Sequence, residues 1–385
     1  MGCVSSYLDH ASAAPWHSAA LEAAAQVAAD HPGDPARRHR QGRAARDLLE
    51  SARGAVAAEL GGAPERVVFT SGGTEAVHLA VRGAVLANAT RPRRVISSAV
   101  EHSAVLAAAE ATGCEHLVVG VDAVGRVDLA ALRGALADGG AVVVNLQHAN
   151  HEVGTLQPVA EAAALCREFD ALLHVDACQT VGRLPVSLVD LGADLVSASG
   201  AKFGGGRGVG VMAWSSRARV RALVGGDERE HRRRAGLQDL PAIAAFAETL
   251  LQLRPSDPDG PAAAEAARCD ALRRRLRTGM AARVPDLAVH GPDEGSAPHI
   301  AAASALYVEG DALVTTLDRA GFSVHSGSSC ATTSGEPSHV LVAMGVLTHG
   351  HVRASFGPGV EVADIDGFVE ALAATVTSLR GHALK

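Results

Sequence analysis

The chain has 385 residues, 48% of them hydrophobic and 20% charged, with 35 basic side chains against 42 acidic and a formal net charge of −7. These proportions sit near the globular average and exclude a disordered or collagen-like chain, while the acidic balance speaks against a nucleic-acid binder. At ~150 residues per domain the length allows two to three domains, or one large α/β unit with an appendage.

In chain order, residues 17–30 and 43–61 read as Ala-rich helices. A short apolar strand, 67–70, ends at S-G-G and is followed by a helix over 74–87. A strand at 94–98 precedes a helix over 103–112, and 116–120 and 141–146 are further strands. A helix over 158–170 leads to strands at 172–176, 195–199 and 209–214. Strands alternating with helices imply βαβ units and a mostly parallel sheet covered on both faces. The Pro/Asp/Gly-rich stretch 254–264 marks the start of a second, smaller domain. It holds a helix over 262–283, a loop over 287–299, a strand at 301–308, a helix over 310–320 and a Gly/Ser segment at 325–335. A helix over 337–345, a strand at 351–356 and a terminal helix over 362–381 complete it.

Aromatic residues are only 3%, so Ala, Val and Leu must build the core. No run of ~18 apolar residues exists, so no membrane span is expected. No secretory leader is visible, and the opening M-G-C-V-S-S reads as a chance match to the myristoylation pattern. The six cysteines, Cys3, Cys114, Cys166, Cys178, Cys269 and Cys330, form no C-x-x-C pair. A disulfide framework and a metal site are therefore not expected, and a reducing cytoplasm is.

Four segments carry chemistry. F-T-S-G-G-T-E at 69–75 places a glycine turn, Gly73 and Thr74 at a helix start, where free N–H groups form an anion cup; the same turn is often mere punctuation. H-V-D-A-C-Q at 174–179 puts Asp176 at a strand end, as a functional carboxylate or a helix cap. S-A-S-G-A-K at 197–202 holds Lys202, and the only other lysine is Lys385. Arginine otherwise carries the positive charge, and arginine cannot form a Schiff base. Cup, Asp and Lys at strand ends describe a pyridoxal-phosphate site, over whose ring His102 could stack. In S-G-S-S-C-A-T-T-S-G at 326–335, Cys330 sits in a small, polar loop, which suits a nucleophile more than a structural thiol. H-V-R-A-S-F-G at 351–357 buries Arg353 in a strand, a position fit to clamp a carboxylate. Asp227 to Arg234 is the one charge run, read as a solvated loop able to reach a partner subunit.

These segments, with Y-L-D-H-A-S-A-A-P, E-H-S-A-V, N-H-E-V-G-T-L-Q-P, R-R-A-G and E-P-S-H-V-L, resemble in order and spacing the cysteine desulfurases, a class V aminotransferase branch of fold-type I pyridoxal-phosphate enzymes. The resemblance covers nearly the whole chain and is to the long-loop type. It implies a large domain, 14–255, with a mainly parallel seven-stranded sheet, and a small α/β domain, 1–13 with 256–385, carrying the Cys330 loop. It implies that Lys202 forms the Schiff base, Asp176 pairs with the pyridine nitrogen and Gln179 with the ring oxygen. His102 would stack on the ring and aid proton transfer. Gly73, Thr74 and Ser199 would hold phosphate, Asn150 and His151 would lie at the ring, and Arg353 would bind the substrate carboxylate. Cys330 would attack the sulfur of bound L-cysteine, leaving an enzyme persulfide and alanine. A homodimer and a sulfur-acceptor protein are the implied partners.

Four positions depart from that pattern. His151 replaces a second Asn, Ala201 a phosphate-contacting His, Leu237 a Thr that reaches the neighbouring subunit's phosphate, and Asp34 an Asn. Two lost donors at ~1.5–3 kcal/mol each weaken cofactor retention unless the Arg-rich run 229–234 compensates. Beside the desulfurase reading stand a C–S or selenocysteine lyase and a non-catalytic scaffold.

Overall fold

The structure, a computed structural model, describes residues 6–88, 94–327 and 337–383. Its main layer is a seven-stranded sheet in the order Val67–Thr70, Gly210–Trp214, Leu195–Ser199, Leu172–Asp176, Ala141–Asn145, Arg94–Ser98, Glu115–Val119. Gly210–Trp214 runs antiparallel to both neighbours, and the other pairings are parallel. The inner strands are buried on both faces, so they read as continuous apolar runs rather than alternating ones. One face packs against the helix Gly73–Ala87, and the other against Arg40–Glu59, Val159–Glu168 and Leu240–Leu253.

A row of polar side chains crosses five adjacent strands. His116 Nε2 meets Ser97 Oγ at 3.0 Å, Asn145 Nδ2 donates to the same oxygen at 3.0 Å, His174 Nδ1 meets Asn145 Oδ1 at 3.0 Å, and His174 Nε2 meets Ser197 Oγ at 3.1 Å. Burial pushes His174 down to about 4, so it is a neutral linker. A row like this penalises any slip in strand register, because a slip leaves buried polar groups unpaired.

A smaller unit has its own sheet, with Ile300–Ala305 between Leu287–His290 and His351–Ser355, all antiparallel. Pro261–Arg283, Gly310–Arg319 and Val362–Ala383 cover it, and Leu8 belongs to its apolar core. The N-terminal segment reaches this unit by pairing Ser6–Tyr7 with Phe322–Ser323.

The longest differences from the sequence expectation are a strand and two helices. Leu287–His290 is a strand where a loop is expected; four residues between Asp286, at φ 50°, and Gly291, at φ 72°, are too short to show a period. Leu129–Ala137 and Leu240–Leu253 are helices not expected, though Asp128 and Asp239 cap them through their carboxylates. The charge run is not merely a solvated loop. Glu230 is buried, bonded to Arg53 at 2.8 and 3.0 Å and to the Phe69 N–H at 2.8 Å. Among the described residues, no helix is long and apolar enough to cross a membrane, and no His, Cys, Asp or Glu cluster could hold a metal ion.

Candidate active site

A cavity of about 450 Å³ opens at the carboxyl edge of the large sheet. Lining it are Gly73, Thr74, His102, His151, Asp176, Gln179, Ser199, Lys202 and Arg353, drawn from positions nearly three hundred residues apart. Local folding explains each placement. Gly73 starts its helix in a gap where a Cβ would meet Cys178 Sγ at 2.7 Å and Ser199 Cβ at 3.1 Å, so a side chain would close the cup. His102 caps the helix Ser103–Glu110, its Nδ1 accepting from the Ala104 N–H at 3.1 Å. That bond fixes the neutral tautomer with the proton on Nε2. Asp176 ends its strand and accepts from the Cys178 N–H at 3.0 Å. Lys202 follows the strand Leu195–Ser199 in a single turn of 3-10 helix.

Lys202 Nζ donates to the carbonyls of Ala11 and Ser12 at 3.0 and 2.7 Å. Burial lowers its pKa, opposed by Cys178 and Asp176 and assisted by Arg353. Burial likewise lowers His102, with Asp176 opposing. His151 stands edge-on to His102 with ring centroids 5.1 Å apart. Burial holds it well below the usual range, and its Nδ1 is buried without a partner. Glu101, wholly buried behind this wall, accepts from the Gln147 N–H at 2.8 Å, and burial lifts its carboxyl to about 8.

Arg353 sits in the strand His351–Ser355 and is 3% exposed. It donates to the His151 carbonyl at 2.7 Å, to Asp9 at 2.8 Å and to Ser12 Oγ at 2.7 Å. Its Nε is buried without a partner. Asp9 and Ser12 belong to Y-L-D-H-A-S, a segment to which sequence reasoning gave no role; the partner of Arg353 lies 344 residues away, and only folding reveals it.

Not every expected residue reaches the cavity. Asn150 is 0% exposed, and its amide is spent on Glu152 N–H, Val153 N–H and the Val100 carbonyl. It shapes the turn that aims His151 inward. Cys330 lies outside the described residues. The expectation that the whole Arg-rich run compensates at the anion cup is corrected: Arg229 pairs with Asp34 and Asp227, and Arg232 with Glu228. Only Arg234 comes to the cup, through Glu75 at 3.1 Å; Glu75 lines the cavity and also accepts from the Ser71 N–H at 2.6 Å. Asp34 gives Arg229 a charged partner that an Asn would not. Leu237 is 63% exposed, and Ala201 lines the cavity without a polar group.

The residues present fit pyridoxal phosphate. A buried amine stands within reach of a carboxylate at a strand end, a helix start is cleared for an anion, and a neutral imidazole faces the space between them. The fold and this site define a class. The chain matches the family described as aminotransferase class-V over residues 6–368 and belongs to it. Among its relatives, it is 33% identical to the cysteine desulfurase IscS of Dictyoglomus turgidum, over 97% of this chain and 95% of that protein. It is 37% identical to an IscS-like cysteine desulfurase of Mycobacterium tuberculosis, over 98% of both. A solved NifS-like protein superposes with a TM-score of 0.88 at 28% identity, covering 97% of this chain and 100% of that one.

Proposed function

We propose that this protein is a cysteine desulfurase dependent on pyridoxal phosphate, which releases L-alanine from L-cysteine and carries the sulfur as a persulfide on Cys330. The observation that supports it most is one cavity shared by Lys202, Asp176, His102 and Arg353 in a chain with only two lysines. When bound, the cofactor supplies an electron sink for the carbanion chemistry. The helix start at Gly73 and Thr74, with Ser199, would hold its phosphate, Asp176 would keep its ring nitrogen protonated, and Gln179 and His151 would serve its ring oxygen.

Arg353, oriented by Asp9 and Ser12, binds the substrate carboxylate. Lys202, whose burial favours the neutral amine, takes and returns the proton at the substrate α-carbon. His102 is fixed with its proton on Nε2 and donates from there. The Cys330 thiolate attacks the substrate sulfur; the carbon–sulfur bond breaks, its electron pair stays with the carbon fragment, and protonation yields alanine. The persulfide then needs a thiol on a sulfur-acceptor protein. We read the enzyme as a cytoplasmic homodimer, in which the exposed Leu237 and the neighbouring arginines face the partner subunit.

Product analysis with L-cysteine and a reductant tests the reading. Alanine and sulfide in equal amounts, abolished by both Cys330→Ser and Lys202→Ala, are expected. Pyruvate and ammonia surviving Cys330→Ser would make the protein a lyase. A protein that yields no product and takes up no cofactor would be a scaffold.

A further inference from the structure

A second cavity, of about 370 Å³, lies behind the active-site lysine on the seam between the two units. Its size falls in the range of small-molecule sites, and it shares no lining residue with the first cavity. Trp16, Phe203 and Pro298 give it apolar walls, and Arg183, His10 and His299 give it polar ones. Arg183 spends Nε and one terminal nitrogen on the Lys202 carbonyl, at 3.1 and 2.7 Å. Among the described residues no carboxylate is in ion-pair contact with it; Glu265, in the lining of the same cavity, acts on it only from farther away, and burial pulls its pKa down to about 10. A part-buried guanidinium without a bonded anion is costly.

His299 is 1% exposed. Its Nε2 meets Gln179 Oε1 at 3.3 Å, while Gln179 Nε2 donates to the Ala11 carbonyl. The amide oxygen can only accept, so the imidazole proton sits on Nε2. Nδ1 is then a bare acceptor, buried and without a partner. Arg183 and His10 both act electrostatically on this ring, and they flank one point: a Cβ at Gly357 would meet His10 Nδ1 at 2.7 Å and an Arg183 terminal nitrogen at 3.6 Å. A guanidinium lacking an anion beside an imidazole lacking a donor is complementary to one ligand chemistry.

We infer that this cavity binds a small apolar carboxylate bearing an α-hydroxyl or α-amino group. The carboxylate sits on Arg183, the hydroxyl or amine donates to His299 Nδ1, and the apolar body packs between Trp16 and Phe203. The Glu265 carboxylate lines the same space and disfavours a dianion such as phosphate. The site is tied to Lys202 from two sides: Arg183 holds its carbonyl, and Gln179 shares the Ala11 carbonyl with its Nζ. Occupancy therefore acts on Lys202 and Gln179, which the active-site cavity also uses. The inference does not rest on the desulfurase reading.

Calorimetric titration of the full chain carrying its cofactor tests it, with mandelate, phenylglycine, phenylacetate and inorganic phosphate as probes. Mandelate or phenylglycine is expected to bind about tenfold more tightly than phenylacetate, the tighter of the two identifying the donor group, and phosphate is expected not to bind. Ala266→Phe and Leu253→Phe, each of which enlarges a side chain in the cavity's lining, abolish binding, whereas Arg353→Gln leaves it intact. Binding that survives both filling variants, or that is lost with Arg353→Gln, overturns the proposal. So does phenylacetate binding as tightly as mandelate, or no binding of either α-substituted acid to the unmodified protein.

Discussion

The catalytic cavity has two walls of different construction. One is the carboxyl edge of the seven-stranded sheet, with Asp176, Ser199 and Lys202 on consecutive strand ends and Gly73 and His102 at helix starts. Here each side chain is placed by its own strand or helix, and the polar row fixes the register. The other wall is Arg353 with Asp9 and Ser12, which the N-terminal segment brings across from far away in sequence. On the proposed function, the first wall would carry the chemistry and the second would hold the substrate. Damage to the first should therefore lower kcat, and damage to the second should raise KM.

The largest expected effect is on the sheet wall. Lys202→Ala should lower alanine formation by about three orders of magnitude or more, because it removes both the cofactor anchor and the proton carrier; a rate within tenfold of the parent would break the assignment. Arg353→Gln should raise KM by ~10–100-fold, the worth of one charged hydrogen bond at ~1.5–3 kcal/mol, with kcat changed less. Steady-state kinetics separates the two, and a pure kcat loss would erase the contrast between the walls. Asp9→Asn should raise KM by only a few-fold, since it loosens Arg353 without removing it. Asp9→Glu should restore much of that loss, and failure of the rescue would make Asp9 merely structural.

The smallest effect at neutral pH concerns stability. Glu101 is lifted to about 8 by burial, so the folded state keeps its proton where the unfolded chain has lost it. That contribution is fully present below about 4.5 and is lost as pH rises through about 8. His10, His148, His174, His290 and His325, each pushed down to about 4, act at the other end. Their neutral burial costs nothing above pH ~6.5 and destabilises as pH falls toward 4. Melting curves between pH 5 and 9 should show Glu101→Gln flattening the fall in stability between pH 5 and about 8 and leaving the slope above about 8 alone. Equal slopes of variant and parent between pH 5 and about 8 would contradict this.

The sheet wall was legible in the sequence because strand-end position, residue type and the scarcity of lysine all act locally. Val67–Thr70 through Gly210–Trp214 emerged from their apolar runs for the same reason. The second wall was not legible: Arg353 could be read as a buried clamp, but Asp9 and Ser12 meet it only after the smaller unit has closed on the N-terminal segment. Asn150 was misplaced because adjacent residues in a tight turn point in different directions, and His151 takes the inward one. Glu230 looked like one acid in an exposed run, and only Arg53 and the Phe69 N–H show that it is interior. The helix Leu240–Leu253 has its own start signal in Asp239 and the following Leu-Pro.

The division of labour between the walls stands on Lys202 as the cofactor's anchor, and the chain's composition allows a clean measurement. After loading with pyridoxal phosphate, borohydride reduction and peptide mapping should place the pyridoxyl group on Lys202 and leave Lys385, the only other lysine, unmodified. A label on Lys385, or none on either lysine while the protein remains folded, would contradict the assignment of the sheet edge as the catalytic wall.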